Sequence, residues 1–179
     1  YQTNIKNLQA IPDAINKCLT VETNIQAMAK EFVDAKGSMF LGRGSSFPIA
    51  LEGALKLKEL SYLHAEGYPA GEMKHGPLAL IEEGLPVIVI APKDKYFKKT
   101  LSNMQEVIAR GGKILLVTDH KKELINENIR FGISVPKLDD LLSPILLTIP
   151  LQLLAYHVAL LKNCDIDKPR NLAKSVTVE

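Results

Sequence analysis

The chain has 179 residues, 46% hydrophobic and 23% charged, with a net charge of +2. That length and balance suit one globular domain large enough to bury a real core. Basic residues cluster only at Lys98-Lys99 and Lys121-Lys122, so a nucleic-acid role has no electrostatic support.

Residues 1–10 read as a linker or helix entry. The opening YQTNIKNLQAIPDAI lacks a basic-then-apolar leader, and its start at Tyr1 suggests a processed chain or an excised piece. From Pro12 to Ala35 the apolar spacing of Ile15, Leu19, Ile25, Met28 and Phe32 predicts a helix. Ser38–Gly42 reads as a buried strand, closed by the turn Gly42-Arg43-Gly44-Ser45-Ser46. Pro48 fits the first turn of a helix running to about His64. Residues 65–76 read as a Gly/Pro-punctuated loop, and Leu78–Ile81 as a brief helical turn.

Strands at Pro86–Ile90, Lys113–Thr118 and Phe131–Val135 follow, with a helix over Tyr96–Arg110 between the first two. The last helix spans Ser143, an expected N-cap, to Lys162. Its run PILLTIPLQLLAYHVALL raises the question of a membrane span, but Pro150, Gln152 and His157 interrupt it, which favours a buried interface helix. Four short apolar strands separated by helices predict a mainly parallel sheet covered on both faces, a three-layer α/β sandwich. The tail from Asp165 to Glu179 has no clear periodicity, yet Leu172, Val176 and Val178 give it something to dock with.

Titratable residues concentrate between Leu51 and Pro77. Glu52, Lys56 and Glu59 recur at spacings that place them near one helix face. Such a stripe is either a solvated ion-pair ladder or, if buried, a general base held beside an ammonium. His75, in a Gly/Pro-framed loop, is either a surface histidine or a catalytic one. His64 reads as a partner of the helix C-terminus or a wall residue, His120 as surface and His157 as core. The GRGSS turn is either a tight turn or an anion contact, and matches neither a P-loop nor GxGxxG. No His, Cys or carboxylate set has metal-ligand spacing, so no metal or other cofactor is expected. Cys18 and Cys164 read as free cytosolic thiols.

Two stretches, FLGRGSSFPIALEGALKLKELSYLHAEGYPAGEMKHGPLALI and PLQLLAYHVALLKNCDIDKPRNLAKSVTVE, resemble the glucosamine-6-phosphate synthase family, specifically the second of its two sugar-isomerase (SIS) domains. The resemblance implies a flavodoxin-like SIS fold over 36–163, preceded by a linker and helix (1–35) and followed by a tail (164–179) that closes the active site. It further implies that Lys56 and Glu59 move a proton between C1 and C2 of fructose 6-phosphate. By the same likeness, His75 opens the sugar ring in a neighbouring subunit's site, Lys174 forms a Schiff base with the ketone, and Ala173 and Glu52 line the pocket. A cytoplasmic homodimer making glucosamine 6-phosphate with glutamine-derived ammonia is the expected setting. The glutaminase and first SIS domains of that family have no counterpart in these 179 residues, so the chain alone is expected to be inactive. A non-catalytic phosphosugar-binding SIS module is the alternative.

Overall fold

A computed structural model describes residues 2–172. Strands β1 (Ser38–Gly42), β2 (Ala65–Pro69), β3 (Pro86–Ile90), β4 (Lys113–Thr118) and β5 (Ile129–Ser134) form one parallel sheet in the order β2-β1-β3-β4-β5. Side chains alternate across a strand, and here both faces are apolar. Phe40, Ile88, Ile90, Leu115, Val117 and Ile133 enter one core, while Met39, Leu41, Val87, Val89, Ile114 and Leu116 enter another. Helices α2 (Ile11–Leu19), α3 (Glu22–Ala29), α4 (Ser46–Ser61) and α6 (Ser143–Leu161) cover the first face. Helix α5 (Phe97–Ile108) and the 3-10 segment Ala70–His75 cover the second. The expected three-layer parallel sandwich is the observed one.

Local chemistry explains the departures from the sequence expectations. Residues 2–9, read as a linker or helix entry, form α1 (Gln2–Gln9). The single helix expected over Pro12–Ala35 is broken at Thr20, whose hydroxyl donates to the Lys17 carbonyl at 2.7 Å and competes with the helical ladder. A fifth strand, β2, lies where a loop was expected. Its AEGYP sequence carries Gly and Pro, residues poor in central strands but tolerated at an edge, and β2 is the edge beside β1. Ser143 does not cap α6. The N-cap position is Leu142, with no side-chain hydrogen bond to the helix, and Asp139 instead closes the turn before it, its carboxylate accepting from the backbone N–H groups of Leu141 and Leu142 at 3.0 and 3.1 Å.

Helix α6 is long and apolar enough to cross a membrane by length and composition, but Leu146, Leu147, Leu151, Leu154, Ala155 and Val158 are buried against the other helices. Pro150 lacks the N–H that would bond the Leu146 carbonyl. The buried Cys18 thiol donates to that same carbonyl at 3.9 Å, so a helix on the far side of the interface supplies a partner. His157, buried as expected, pairs with Glu22 at 2.9 Å and ties α6 to α3.

Candidate active site

Helix α4 begins at the carboxyl end of β1, through a turn that requires glycine at positions 42 and 44. A Cβ on Gly42 would lie 2.2 Å from the Ser46 carbonyl oxygen, and Gly44, at φ +56°, passes under the Tyr96 ring. These contacts account for the glycines of GRGSS without a ligand. The Arg43 side chain turns away from the helix end. It donates to Asn103 Oδ1 at 3.0 Å and lies against Gly71, where a Cβ would come within 2.9 Å of its Nη1.

Along α4, Ile49, Ala50, Gly53, Ala54 and Leu57 face the core, which leaves Glu52, Lys56 and Glu59 along the outer side. Lys56 Nζ donates to Glu59 Oε2 at 2.7 Å and stands 4.0 Å from Glu52 Oε1. Of the two sequence readings, a solvated ion-pair ladder or a buried base, the structure is nearer the ladder: the side chains of Glu52, Lys56 and Glu59 are 39%, 32% and 30% exposed. The bond to Glu59, aided by the charges of Glu59 and Glu52, raises the Lys56 pKa above its ordinary value against an opposing burial effect. Lys56 is therefore an ammonium at neutral pH, and it fixes the Glu59 carboxylate rather than acting as a free amine. Glu59 is thirteen residues beyond Ser46, about 20 Å along the helix axis, so the GRGSS turn and Glu59 cannot grip one small sugar within a single chain.

The end of α4 is unusual. Its last residue is Ser61, and Tyr62 follows in the left-handed conformation (φ 59°), its N–H bonding the Lys58 carbonyl at 3.1 Å. Glycine is the common occupant of that position. The Tyr62 hydroxyl accepts from the Arg170 backbone N–H at 2.9 Å, and the Arg170 guanidinium stacks over the ring at 4.1 Å. Beside them is an open pocket of about 290 Å³ lined by Leu55, Lys58, Glu59, Tyr62, Arg170, Asn171 and Leu172. The start of the tail is thus held beside Glu59. Ala173 and Lys174, both expected at the site, lie outside the described residues.

His75 closes the 3-10 segment after β2. Ala70 and Met73 anchor that segment in the core on the α5 side, and Lys74 pairs with Glu106 of α5 at 3.1 Å. The His75 side chain itself is 74% exposed, with Glu72 of its own segment 3.8 Å away. Helix α4 packs into the core on the opposite face of the sheet, so one chain does not bring His75 and Glu59 into one cluster. His64 is no partner of the helix end: it lies beyond Tyr62, 73% exposed, 3.5 Å from Glu66. Glu66 also accepts from the Tyr68 hydroxyl, which together with burial pushes the Tyr68 pKa up to about 12. Among the described residues, no three His, Cys, Asp or Glu side chains stand together in a set that could hold a metal ion.

Two residues with evident structural work were not found from sequence: Arg43, read only as part of a turn, and Tyr62, absorbed into the helix period. The one available signal was the lack of glycine after a helix that must end before β2.

The SIS domain profile matches residues 31–162. The glutamine–fructose-6-phosphate aminotransferase (isomerizing) of Bartonella henselae is 53% identical over 98% of this chain, and that of Escherichia coli K12 is 52% identical over 98%. Each match occupies 29% of the relative, so the chain spans less than a third of the length of the curated relatives it matches. The solved C-terminal domain of glucosamine-fructose-6-phosphate aminotransferase from Francisella tularensis superposes with a TM-score of 0.88 at 46% identity. The superposition covers 93% of this chain and 47% of that one. A profile match over most of the chain, on a five-stranded parallel sheet, establishes that it belongs to the SIS domain family.

Proposed function

We propose that this chain is the second SIS domain in the isomerase half of a glutamine–fructose-6-phosphate aminotransferase. In that setting it converts a ketose phosphate and ammonia into an amino-aldose phosphate. The observation that carries the reading is the Glu52–Lys56–Glu59 row, with Glu59 facing the pocket beside the start of the tail.

The amine of Lys174 adds to the C2 ketone of open-chain fructose 6-phosphate and loses water to give an imine, a better electrophile for ammonia. After ammonia displaces the lysine, Glu59 removes a proton from C1 and returns it to C2 while the C1 hydroxyl proton passes to the nitrogen, so that the C2 imine becomes a C2 amine beside a C1 aldehyde. The Lys56 ammonium keeps the Glu59 carboxylate oriented and balances charge that develops on the sugar. Glu52 and Ala173 line the pocket, and the tail excludes water from the imine.

Ring opening requires a proton to move between the anomeric hydroxyl and the ring oxygen, which suits an exposed imidazole. His75 belongs to the sheet face opposite α4, which supports its service to the site of a second copy in a homodimer. The free thiols of Cys18 and Cys164 support a cytoplasmic setting. In the full-length polypeptide carrying this segment, Glu59→Gln is expected to abolish glucosamine 6-phosphate formation and to leave glutamine hydrolysis largely intact. Unchanged synthesis in that variant would sink the assignment.

A further inference from the structure

We infer that Tyr62 is a positioning residue for the imine-forming lysine: it fixes the chain at Arg170, four residues before Lys174. This inference rests on the proposed role of Lys174.

Tyr62 occupies the left-handed position that ends α4, where a Cβ is unfavourable and glycine is the common solution. What the aromatic side chain does there is visible in its two contacts. Its hydroxyl accepts the Arg170 backbone N–H at 2.9 Å, and its ring carries the Arg170 guanidinium at 4.1 Å. The left-handed turn directs the ring from the end of α4 toward the tail. The same geometry puts Tyr62 and Arg170 on the wall of the pocket that Glu59 lines. One residue therefore sets the distance between the base-bearing helix and the root of the tail. A nucleophile delivered from a chain segment reacts in proportion to how well its approach is fixed. Such a device gains activity at the expense of local backbone comfort, so stability and activity should respond in opposite senses when it is removed.

The test uses the full-length polypeptide with Tyr62→Gly, Tyr62→Asn and Tyr62→Phe. Glycine and asparagine both tolerate the left-handed conformation. In both, the kcat for amino-sugar synthesis is expected to fall roughly tenfold to a hundredfold, while glutamine hydrolysis and the melting temperature are maintained or rise. Tyr62→Phe keeps the ring and loses the hydroxyl, so its kcat should lie between the parent and the glycine variant. Trypsin should cut after Arg170 several-fold faster in Tyr62→Gly than in the parent, a readout independent of turnover. A kcat within about twofold of the parent in both Gly and Asn variants overturns the inference, as does a loss of kcat that tracks a loss of thermal stability. Lys174→Arg separates the two claims. If it leaves synthesis intact the underlying reading fails, whereas if it abolishes synthesis and the Tyr62 variants remain active, only the role of Tyr62 fails.

Discussion

The Gly67→Ala substitution probes how closely the base-bearing helix is seated on the sheet edge. Gly67 lies mid-strand in β2, in register with Phe40 of β1, directly under α4. A Cβ added there would lie 2.9 Å from both the Cα and the N of Leu51 and 3.0 Å from the carbonyl carbon of Ala50. These are helix backbone atoms, which no side-chain rotation can move aside. Helix α4 cannot rise freely either, because Ala54 and Leu57 are packed in one core with Leu151 and Leu154 of α6. Overpacking of this kind costs about 1–3 kcal/mol. The alanine also restricts the unfolded chain, an opposing gain of about 0.4–1 kcal/mol. The crowding term wins, leaving a net loss of about 1–2 kcal/mol, or a melting temperature lower by roughly 2–8 °C for a chain of this size. Urea unfolding followed by circular dichroism should show a lower midpoint with an unchanged slope. A variant as stable as the parent would refute the claim that α4 and β2 are in rigid backbone contact.

Two further outcomes follow from perturbed groups elsewhere. Glu31 bonds Lys113 at 2.9 Å and Arg130 at 3.0 Å, and these contacts, the Lys113 bond foremost, hold its pKa below the ordinary 4.5 against opposing burial. A depressed carboxyl pKa contributes stability that is present above the unfolded value and lost as pH falls through the folded one. Glu31→Gln should therefore cost on the order of 1 kcal/mol at neutral pH and almost nothing in strong acid, and a penalty independent of pH counts against the bridge. Cys18, fully buried, has its thiol pushed up to about 11 by burial, whereas Cys164 is part exposed. A thiol reagent at neutral pH should titrate Cys164 in the native chain and Cys18 only on unfolding; two fast thiols would contradict the packing of α2 on α6.

The sheet was legible in sequence wherever burial on both faces demanded an unbroken apolar run, as in Pro86–Ile90 and Lys113–Thr118. The N-terminal helices were less so. A hydroxyl-to-carbonyl bond at Thr20 divides a stretch whose apolar period continues across the break. Period reports which face is buried, and it is silent about a single interrupted turn. The row Glu52, Lys56, Glu59 was legible because helical spacing alone places the three together. Its exposure was not, because whether a polar stripe is covered depends on what packs over it from elsewhere. The tight GRGSS turn had two sequence readings. The contact of Gly42 with Ser46 and the attachment of Arg43 to Asn103, sixty residues on, favour the structural one, and sequence contains no trace of that partner.

The position of His75 shows why nearness in sequence misleads about a site. Sixteen residues separate it from Glu59, few enough to suggest one cluster at the mouth of a helix and the loop after it. That suggestion depends on residues 65–76 being a loop. They are instead an edge strand and a 3-10 segment, and a parallel strand carries the chain from one end of the sheet to the other before releasing it. Once past β2 the chain anchors Ala70 and Met73 on the α5 side, while α4 remains buried on the other. The edge strand thus divides the titratable stretch into two halves that face different surroundings. The exposed His75 imidazole, 3.8 Å from Glu72, therefore does not share a face of the sheet with Glu59. The proposed service of His75 to the site of a second copy is an arrangement in which both halves would serve one reaction. This separation within a single domain supports the proposed shared site, and it arises at the one strand whose composition conceals it.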